Sequence, residues 1–397
     1  MLSDRLFKII LNNQSTRYKK LNNGLPQGSV LSCLLFNLYI HDLPASTARK
    51  FLYADDMAYA TQHKLFSVIN ATLSKDMSEF VRYCKKWRLV PSVTKTVVSC
   101  FHLNNKLARM PMRVTFDSTI LRHEFEPTYL GVKLDRSLTY GSHIAKVCPK
   151  LASRINLLRK LIGTTWGASP ACLRITALAL VYSCAEYCSA TWLNSAHAYK
   201  VDVQLNTTMR LITGTVHSTR LEWLPALSNI APPELRRQEQ LLTLYRKILE
   251  SDEIPLNKDL TLPRIERLIS RKPPIVTAAN LHSINFTLKD AWKESWSNTG
   301  ITSDLFNFDV HTSKSKEFNL PRRVWCNLNR LRTGHGRCNY MLFKWKMVND
   351  PSCACGYQHQ TMTHIMLECP LTKYDGEIKE ITLLSNQTLN WLMRLNL

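Results

Sequence analysis

The stretch Lys50-Phe51-Leu52-Tyr53-Ala54-Asp55-Asp56-Met57-Ala58-Tyr59-Ala60 constrains the fold more than any other part of the chain. Apolar residues flank two adjacent carboxylates, which predicts two short strands with the acids at the turn between them. Two aspartates beside buried strands are costly unless something positive sits on them. A hard divalent cation answers that need, because Mg²⁺ prefers carboxylate oxygens and substrate phosphates. Such a pair is the start of a two-metal phosphoryl-transfer site. A polar hairpin tip also reads Asp-Asp, so the tetrapeptide needs support from elsewhere in the chain.

Support lies upstream. Gly24-Leu25-Pro26-Gln27-Gly28-Ser29-Val30-Leu31-Ser32 leads into Leu34-Leu35-Phe36-Asn37-Leu38-Tyr39-Ile40. A Pro/Gly turn feeds Ser29, a good N-cap, and then an almost wholly apolar helix that is expected to be buried. Its start, with free backbone N–H groups and Gln27, can face a ligand or nucleic acid. The plainer reading is a capped core helix after a loop. Taken in this order and spacing, Leu-Pro-Gln-Gly-Ser-Val and Tyr-Ala-Asp-Asp resemble the reverse transcriptase of non-LTR retrotransposons, most of all the jockey-type elements of animals. The resemblance is specific in the first hundred residues and near the last Cys/His cluster, and looser between.

The resemblance implies an RNA-directed DNA polymerase that takes an RNA template, a DNA primer and deoxynucleoside triphosphates, with Mg²⁺ or Mn²⁺ at the reacting phosphate. Asp55 and Asp56 match two of the family's three metal-holding carboxylates, Asp55 being the expected stronger ligand. Gln27, with Pro26, Gly28, Ser29 and Tyr53, falls along the template and the incoming nucleotide. Lys95 matches a lysine near the leaving phosphates, where it could donate a proton; a lone lysine before a strand is more often simply solvated. Tyr129-Leu130-Gly131 matches the element that grips the primer end. The family's third carboxylate belongs in a strand before the Pro-Gln-Gly motif. The sole acid there is Asp4, in a segment that resembles the following loop. The expectation is therefore an N-terminally truncated enzyme, inactive or crippled alone. Cys33 stands where the family usually has proline.

The rest of the chain reads as follows. Its 397 residues suffice for two or three domains, and a net charge of +22 points to a polyanion, most simply nucleic acid. The fold class expected is α+β: a partial polymerase palm, an antiparallel sheet with helices, over 1–135. Residues 64–87 carry a helical stripe of Leu65, Ile69, Leu73, Met77, Phe80, Cys84 and Trp87. Strands are expected over 96–103 and 128–134. A helical thumb-like region follows over 136–251, whose Lys146, Lys150, Arg154, Arg159 and Lys160 meet phosphate or form a solvated face. A connector spans 252–320. Residues 321–397 hold a basic, aromatic segment (Arg322, Arg323, Trp325, Arg330, Arg332, Tyr340, Lys344 and others). That interleaving suits phosphate contact and base stacking, or else an amphipathic helix with its aromatics in the core.

Twelve cysteines without a secretory leader suggest reduced thiols with some metal ligation. Cys353, Cys355, His364 and Cys369 make a Cys₂-His-Cys set suited to tetrahedral Zn²⁺, although the first gap is tighter than usual. The family pattern includes Gly356 and Pro370; His359, Cys338 or His335 could replace a chosen ligand. The apolar run 171–193 contains Arg174 and Glu186 and reads as a packed helix, with no membrane span. The family implies some access to the nucleus. The competing function is a non-enzymatic nucleic-acid-binding remnant that uses the basic helices and the zinc tail.

Overall fold

Short strand pairs and one long helix build the first part of the chain, and helices build most of the rest among the described residues. The computed structural model describes residues 5–21, 24–25, 28–163, 166–260, 273–308 and 316–397. Pro26 and Gln27 lie outside the described residues. The chain divides into two units, Met1–Leu138 and Thr139–Leu397. Among the described residues no helix is long and apolar enough to cross a membrane.

In the first unit, β1 (Arg5–Phe7), β2 (Ile10–Leu11), β3 (Gln14–Ser15) and β4 (Lys19–Leu21) nest as one hairpin, β2 pairing with β3 inside the β1–β4 pair. Helix α1 (Val30–Tyr39) follows, then the hairpin of β5 (Arg49–Tyr53) and β6 (Asp56–Ala60), then α2 (Phe66–Lys86). Beyond them come β7 (Val97–Val98), α3 (Asn105–Ala108), β8 (Thr115–Phe116), β9 (Thr119–Ile120), β10 (Arg122–His123), β11 (Thr128–Tyr129) and β12 (Val132–Lys133). The described strands make separate two-stranded sheets, one of them parallel (β7 with β10), where a single antiparallel sheet was expected. Most of these strands are two or three residues long, too short to recruit a second neighbour.

The core of this unit is the predicted stripe of α2. Met77 and Val81 are buried against Val98, Met112, Val114, Phe116 and Leu121, with Ile69, Leu73 and Phe80 packed at the margin. Asp76, on the same helix, is buried and accepts the backbone N–H groups of Thr47 (3.1 Å) and Ala48 (2.8 Å), which anchors the entrance to β5. Replacing it leaves those donors without their acceptor. Asp76→Ala is expected to cost about 1–3 kcal/mol of stability, read as a lower urea midpoint of the unit; an unchanged midpoint would remove Asp76 from this role.

Helix α1 departs from expectation. It has no fully buried residue, and Val30, Leu31, Leu34 and Leu38 face solvent, Val30 at 90% exposure. Ser29 occupies the N-cap position, but its side chain makes no capping bond. Aromatic contacts hold the helix at its C-terminal end. There Tyr39 donates to the Trp87 carbonyl and stacks edge-on against its ring at 5.5 Å, and Tyr83 donates to Asp42 at 2.9 Å. Apolar composition requires a cover, and the two-stranded sheets of this unit supply none over that face. The strand expected over 96–103 is regular only at β7, and that expected over 128–134 is a hairpin, β11 to β12. Its turn residues Leu130 and Gly131 both have positive φ (+45° and +80°), as tight hairpin turns of the right-handed twist require.

The second unit runs α4 (Gly141–Arg159), α5 (Pro170–Ala177), a π-helical turn (Leu178–Tyr182), α6 (Ser183–Ala185), α7 (Ser189–Trp192), α8 (Tyr199–Thr213), α9 (Trp223–Ser228), α10 (Pro233–Leu249), α11 (Pro255–Leu260), α12 (Pro274–Ser283) and α13 (Leu288–Ser297). A 3₁₀ turn (Lys316–Asn319), α14 (Arg322–Thr333), α15 (Asn339–Lys344), a π-helical turn (His364–Glu368), α16 (Ile378–Leu383) and α17 (Asn386–Arg394) complete it. Leu151, Ile155, Leu173, Val181, Trp192 and Leu205 centre one core; Trp325, Leu328, Ile365, Ile381 and Leu392 centre another. The stretch read as a connector carries helices, and α12 packs on α10 through Leu281 and Leu242.

Candidate functional site

The Asp-Asp hairpin forms as the alternation of residues dictates. Tyr53 and Asp56 are the last paired positions of β5 and β6, and Ala54 and Asp55 make the turn. Ala54 holds φ at +52°, a conformation costing a residue with a Cβ about 1–2 kcal/mol. Asp55, Asp56 and Tyr53 are exposed, so both carboxylates are open to solvent and to a cation. The strands behind them are also largely exposed, where buried strands were expected. Tyr129 lies within electrostatic reach of Asp56: burial first, and the Asp56 charge second, push its phenol up. Gly131 lies in the turn of the β11–β12 hairpin. Lys95 is exposed, in the turn just before β7. Gly28 and Ser29 precede α1.

A second cluster is tighter. The Sγ atoms of Cys353, Cys355 and Cys369 and a ring nitrogen of His364 lie within 4.8 Å of one another, and Cys353, His364 and Cys369 are buried. Cys353 Sγ and Cys369 Sγ are 3.7 Å apart; Cys355 Sγ and His364 Nε2 are 3.3 Å apart. Tetrahedral zinc with the usual bond lengths would set sulfurs about 3.8 Å apart and sulfur and nitrogen about 3.5 Å apart. Both observed separations lie close to those values, and 3.7 Å is far too long for a disulfide. The donor set therefore fits a metal ion.

The local backbone explains how so short a spacing works. Cys353 N–H donates to the Tyr357 carbonyl (2.8 Å) and Gly356 N–H to the Cys353 carbonyl (2.9 Å), so the chain doubles back within five residues. Cys369 N–H then bonds the His364 carbonyl at 2.8 Å. Burial opposes the Cys353 thiolate, but hydrogen bonds from the Cys355 backbone, Gln360, Cys355 and His364 outweigh it and bring the thiol down to about 6. Burial likewise opposes protonated His364, yet Cys353, Glu368 and Cys369 together hold its pKa above the ordinary value. Glu368 Oε2 is 3.3 Å from His364 Nδ1, where an outer carboxylate orients a ligating imidazole. Gln360 and Glu368 were missed in the sequence; the i,i+4 spacing of His364 and Glu368 was the available signal. Cys338 is buried in the apolar core and is not part of the cluster.

The basic, aromatic segment is corrected at its first half. Arg322, Trp325 and Arg332 are buried, with Trp325 at 1% exposure. Arg322 donates to the carbonyls of Ile212 and Leu211 at 2.7 Å each, Trp325 Nε1 to Ile212 (3.0 Å), Asn329 to Thr213 (2.9 Å) and Arg330 Nε to Gly214 (3.0 Å). These are the orphan carbonyls at the C-terminal end of α8, where cations are favoured. Asn327 does the same for α17, donating to Leu392 and Leu395 at 2.9 Å each. Arg332 pairs with Glu317 at 2.6 Å. These guanidinium groups hold helix ends together and are withdrawn from phosphate.

Residues 1–134, which contain the acidic hairpin and the Tyr129-Leu130-Gly131 turn, match the family model described as reverse transcriptase (RNA-dependent DNA polymerase). The first third of the chain is thus similar to reverse transcriptases. The reverse transcriptase segment has a relative in Drosophila melanogaster named "Probable RNA-directed DNA polymerase from transposon BS", 31% identical over 41% of this chain and 19% of that protein. The RNA-directed DNA polymerase from mobile element jockey, of the same fly, is 26% identical over 54% of this chain and 24% of that protein. A Pol polyprotein from a type-1 retrotransposable element R1 of Nasonia vitripennis is 22% identical over 88% of this chain and 85% of its own length. The chain thus spans about a fifth to a quarter of the first two reverse transcriptases. No solved structure matches.

Proposed function

We propose that this chain supplies part of the RNA-directed DNA polymerase of a non-LTR retrotransposon. The observation that carries the reading is the exposed Asp55-Asp56 turn inside the segment that matches the reverse transcriptase family. In this reading residues 1–135 are palm, 136–251 a thumb-like helical region and 321–397 a zinc-binding tail. Asp55 and Asp56 hold Mg²⁺ or Mn²⁺, which when bound polarise the reacting phosphate and the attacking oxygen. Tyr129 and Gly131 seat the primer end, Tyr53, Gly28, Ser29, Pro26 and Gln27 line the template and nucleotide, and Lys95 faces the leaving phosphates. The exposed Lys146, Lys150, Arg159 and Lys160 of α4 and its C-terminal end meet the duplex backbone. Zn²⁺ sits among Cys353, Cys355, His364 and Cys369.

Two carboxylates carry half the charge of two dications, so a third must join them for full activity. The test is primer extension on an RNA template with Mg²⁺ or Mn²⁺, run beside Asp55→Ala. Expected are salt-sensitive binding of primer–template and extension that is weak or nil in the chain alone, with any extension lost in the variant. Extension indifferent to Asp55→Ala would sink the assignment. The exposed basic residues of α4 and the Cys/His tail favour a second reading, in which the chain binds nucleic acid without polymerising; salt-sensitive binding unaffected by Asp55→Ala, with no extension under any metal, supports it.

A further inference from the structure

A cavity of about 390 Å³ opens in the second unit, outside the segment that matches reverse transcriptases and lined by none of the polymerase or metal-binding residues proposed above. That volume is in the range of small-molecule pockets. Four aromatic residues line it: Phe306 and Phe308 from the loop after α13, Phe318 from the 3₁₀ turn and Trp325 from α14. Leu227, Trp325 and Arg332 in its lining are buried, whereas Asp304 and Asn307 are exposed, which puts the mouth beside the last two. Other rings hold these in place. Phe306 meets Trp223 at 5.7 Å and Trp296 at 5.9 Å, Phe308 meets Trp292 at 5.2 Å and Trp296 at 5.1 Å, and Phe318 meets Trp325 at 5.1 Å. Three charged residues line the cavity: Asp304, Glu317 and Arg332. Glu317 engages both terminal nitrogens of Arg332, at 3.0 and 2.6 Å, and the Leu305 carbonyl accepts from its Nε at 3.0 Å. That pair cancels. Asp304 remains as the excess charge, with no Lys, Arg or His paired to it among the described residues.

We propose that this cavity is a receptor for a trimethylammonium group, carried by a small quaternary amine or by a trimethylated lysine side chain of a peptide. In a chain of net charge +22 the lining of this cavity is acidic, which disfavours a phosphate there and favours a cation. One of its rings already accepts a cation: the Arg332 guanidinium carbon lies 5.2 Å from the Phe306 centroid. Aromatic rings attract cations through their negative faces, Trp most strongly. A bare ammonium carries three N–H donors, and the single exposed carboxylate of Asp304 does not satisfy all three once their water is lost. Full methylation removes those donors and presents methyl groups to the rings. Rings fixed beforehand by their neighbours lose little freedom when the ligand enters.

The test is isothermal titration calorimetry of the full chain with choline and with its uncharged isostere, in which a tert-butyl group replaces the trimethylammonium. A short peptide is titrated beside them in its trimethyl-lysine and unmodified lysine forms. Choline, the trimethyl-lysine peptide or both are expected to bind, each about 2- to 30-fold more tightly than its control, the range that cation–π contacts supply. Asp304→Asn, at an exposed position, is expected to weaken that binding about 2- to 5-fold with Tm unaltered. Phe308→Leu, which removes one ring, is expected to weaken it as well. Tight binding of the peptide with none of choline assigns the group to a peptide side chain, and equal binding of both assigns it to the head group alone. Equal affinity for the charged ligands and their controls overturns the proposal. So does the lack of saturable binding of choline and peptide up to about 10 mM. Binding indifferent to both Asp304→Asn and Phe308→Leu lies elsewhere on the chain and overturns it too.

Discussion

Purified without chelator, the chain is expected to carry one zinc ion, and a strong chelator is expected to open residues 351–374 to protease. The reason is the packing of four donor atoms within 4.8 Å. Without a cation, Cys353, already ionising near 6, faces Cys369 at 3.7 Å with no positive partner except His364. Binding free energies of structural zinc in small domains reach about 10–16 kcal/mol, and that energy is folding energy. Here part of the segment is held independently, because Met362, Ile365 and Tyr374 share a core with Trp325 and Leu328. Chelation should therefore loosen the knuckle first while α14 stays in place, giving a new cleavage site and a lower Tm rather than a random coil. Cys355→Ser should abolish stoichiometric metal. Absence of metal in the parent, with a proteolysis pattern that chelator leaves unaltered, would refute the site.

Gly214→Ala is the second large effect expected. Gly214 ends α8 with φ at +71°, and an added Cβ would stand 2.1 Å from Cys326 Sγ and 2.9 Å from Cys326 Cβ. The left-handed conformation costs about 1–2 kcal/mol for a residue with a Cβ. Forcing α14 away from α8 adds about 1–3 kcal/mol and stretches the bonds from Arg322, Trp325, Asn329 and Arg330 that satisfy the helix end. A loss of about 2–5 kcal/mol is a large share of a domain's stability. It should appear as a lower urea midpoint for the second unit. Cys326→Ala in the same chain removes the Sγ clash and should recover part of the steric loss, leaving the 2.9 Å approach to Cβ and the conformational part. A Gly214→Ala midpoint equal to the parent's would mean that α14 yields freely.

What could be read from the sequence had a local cause. The acidic hairpin follows from alternation around Asp55 and Asp56, and α2 from the spacing of Ile69, Leu73, Met77 and Phe80. The Cys/His set follows from ligand types alone, although the fold of the 353–357 turn was needed to explain its tight spacing. What could not be read depended on distant partners. Whether α1 is buried is decided by which layer covers it, and that is not written in Val30–Tyr39. Arg322 and Arg330 look like phosphate ligands because a guanidinium serves a phosphate and a helix C-terminus equally well. Only the carbonyls of residues 211–214, more than a hundred positions away, decide between them. The π-helical turn at Leu178–Tyr182 left no periodic trace either.

The bare apolar stripe of α1 also governs how the molecule behaves when crowded. In dilute buffer the net charge of +22 keeps copies apart. Near 1 M salt the Debye length falls to about 3 Å and that repulsion is gone, while attraction between apolar faces persists. High ionic strength, which would weaken any contact with a polyanion, would therefore also favour adhesion between copies, so that colloidal stability and release of such a partner pull in opposite directions.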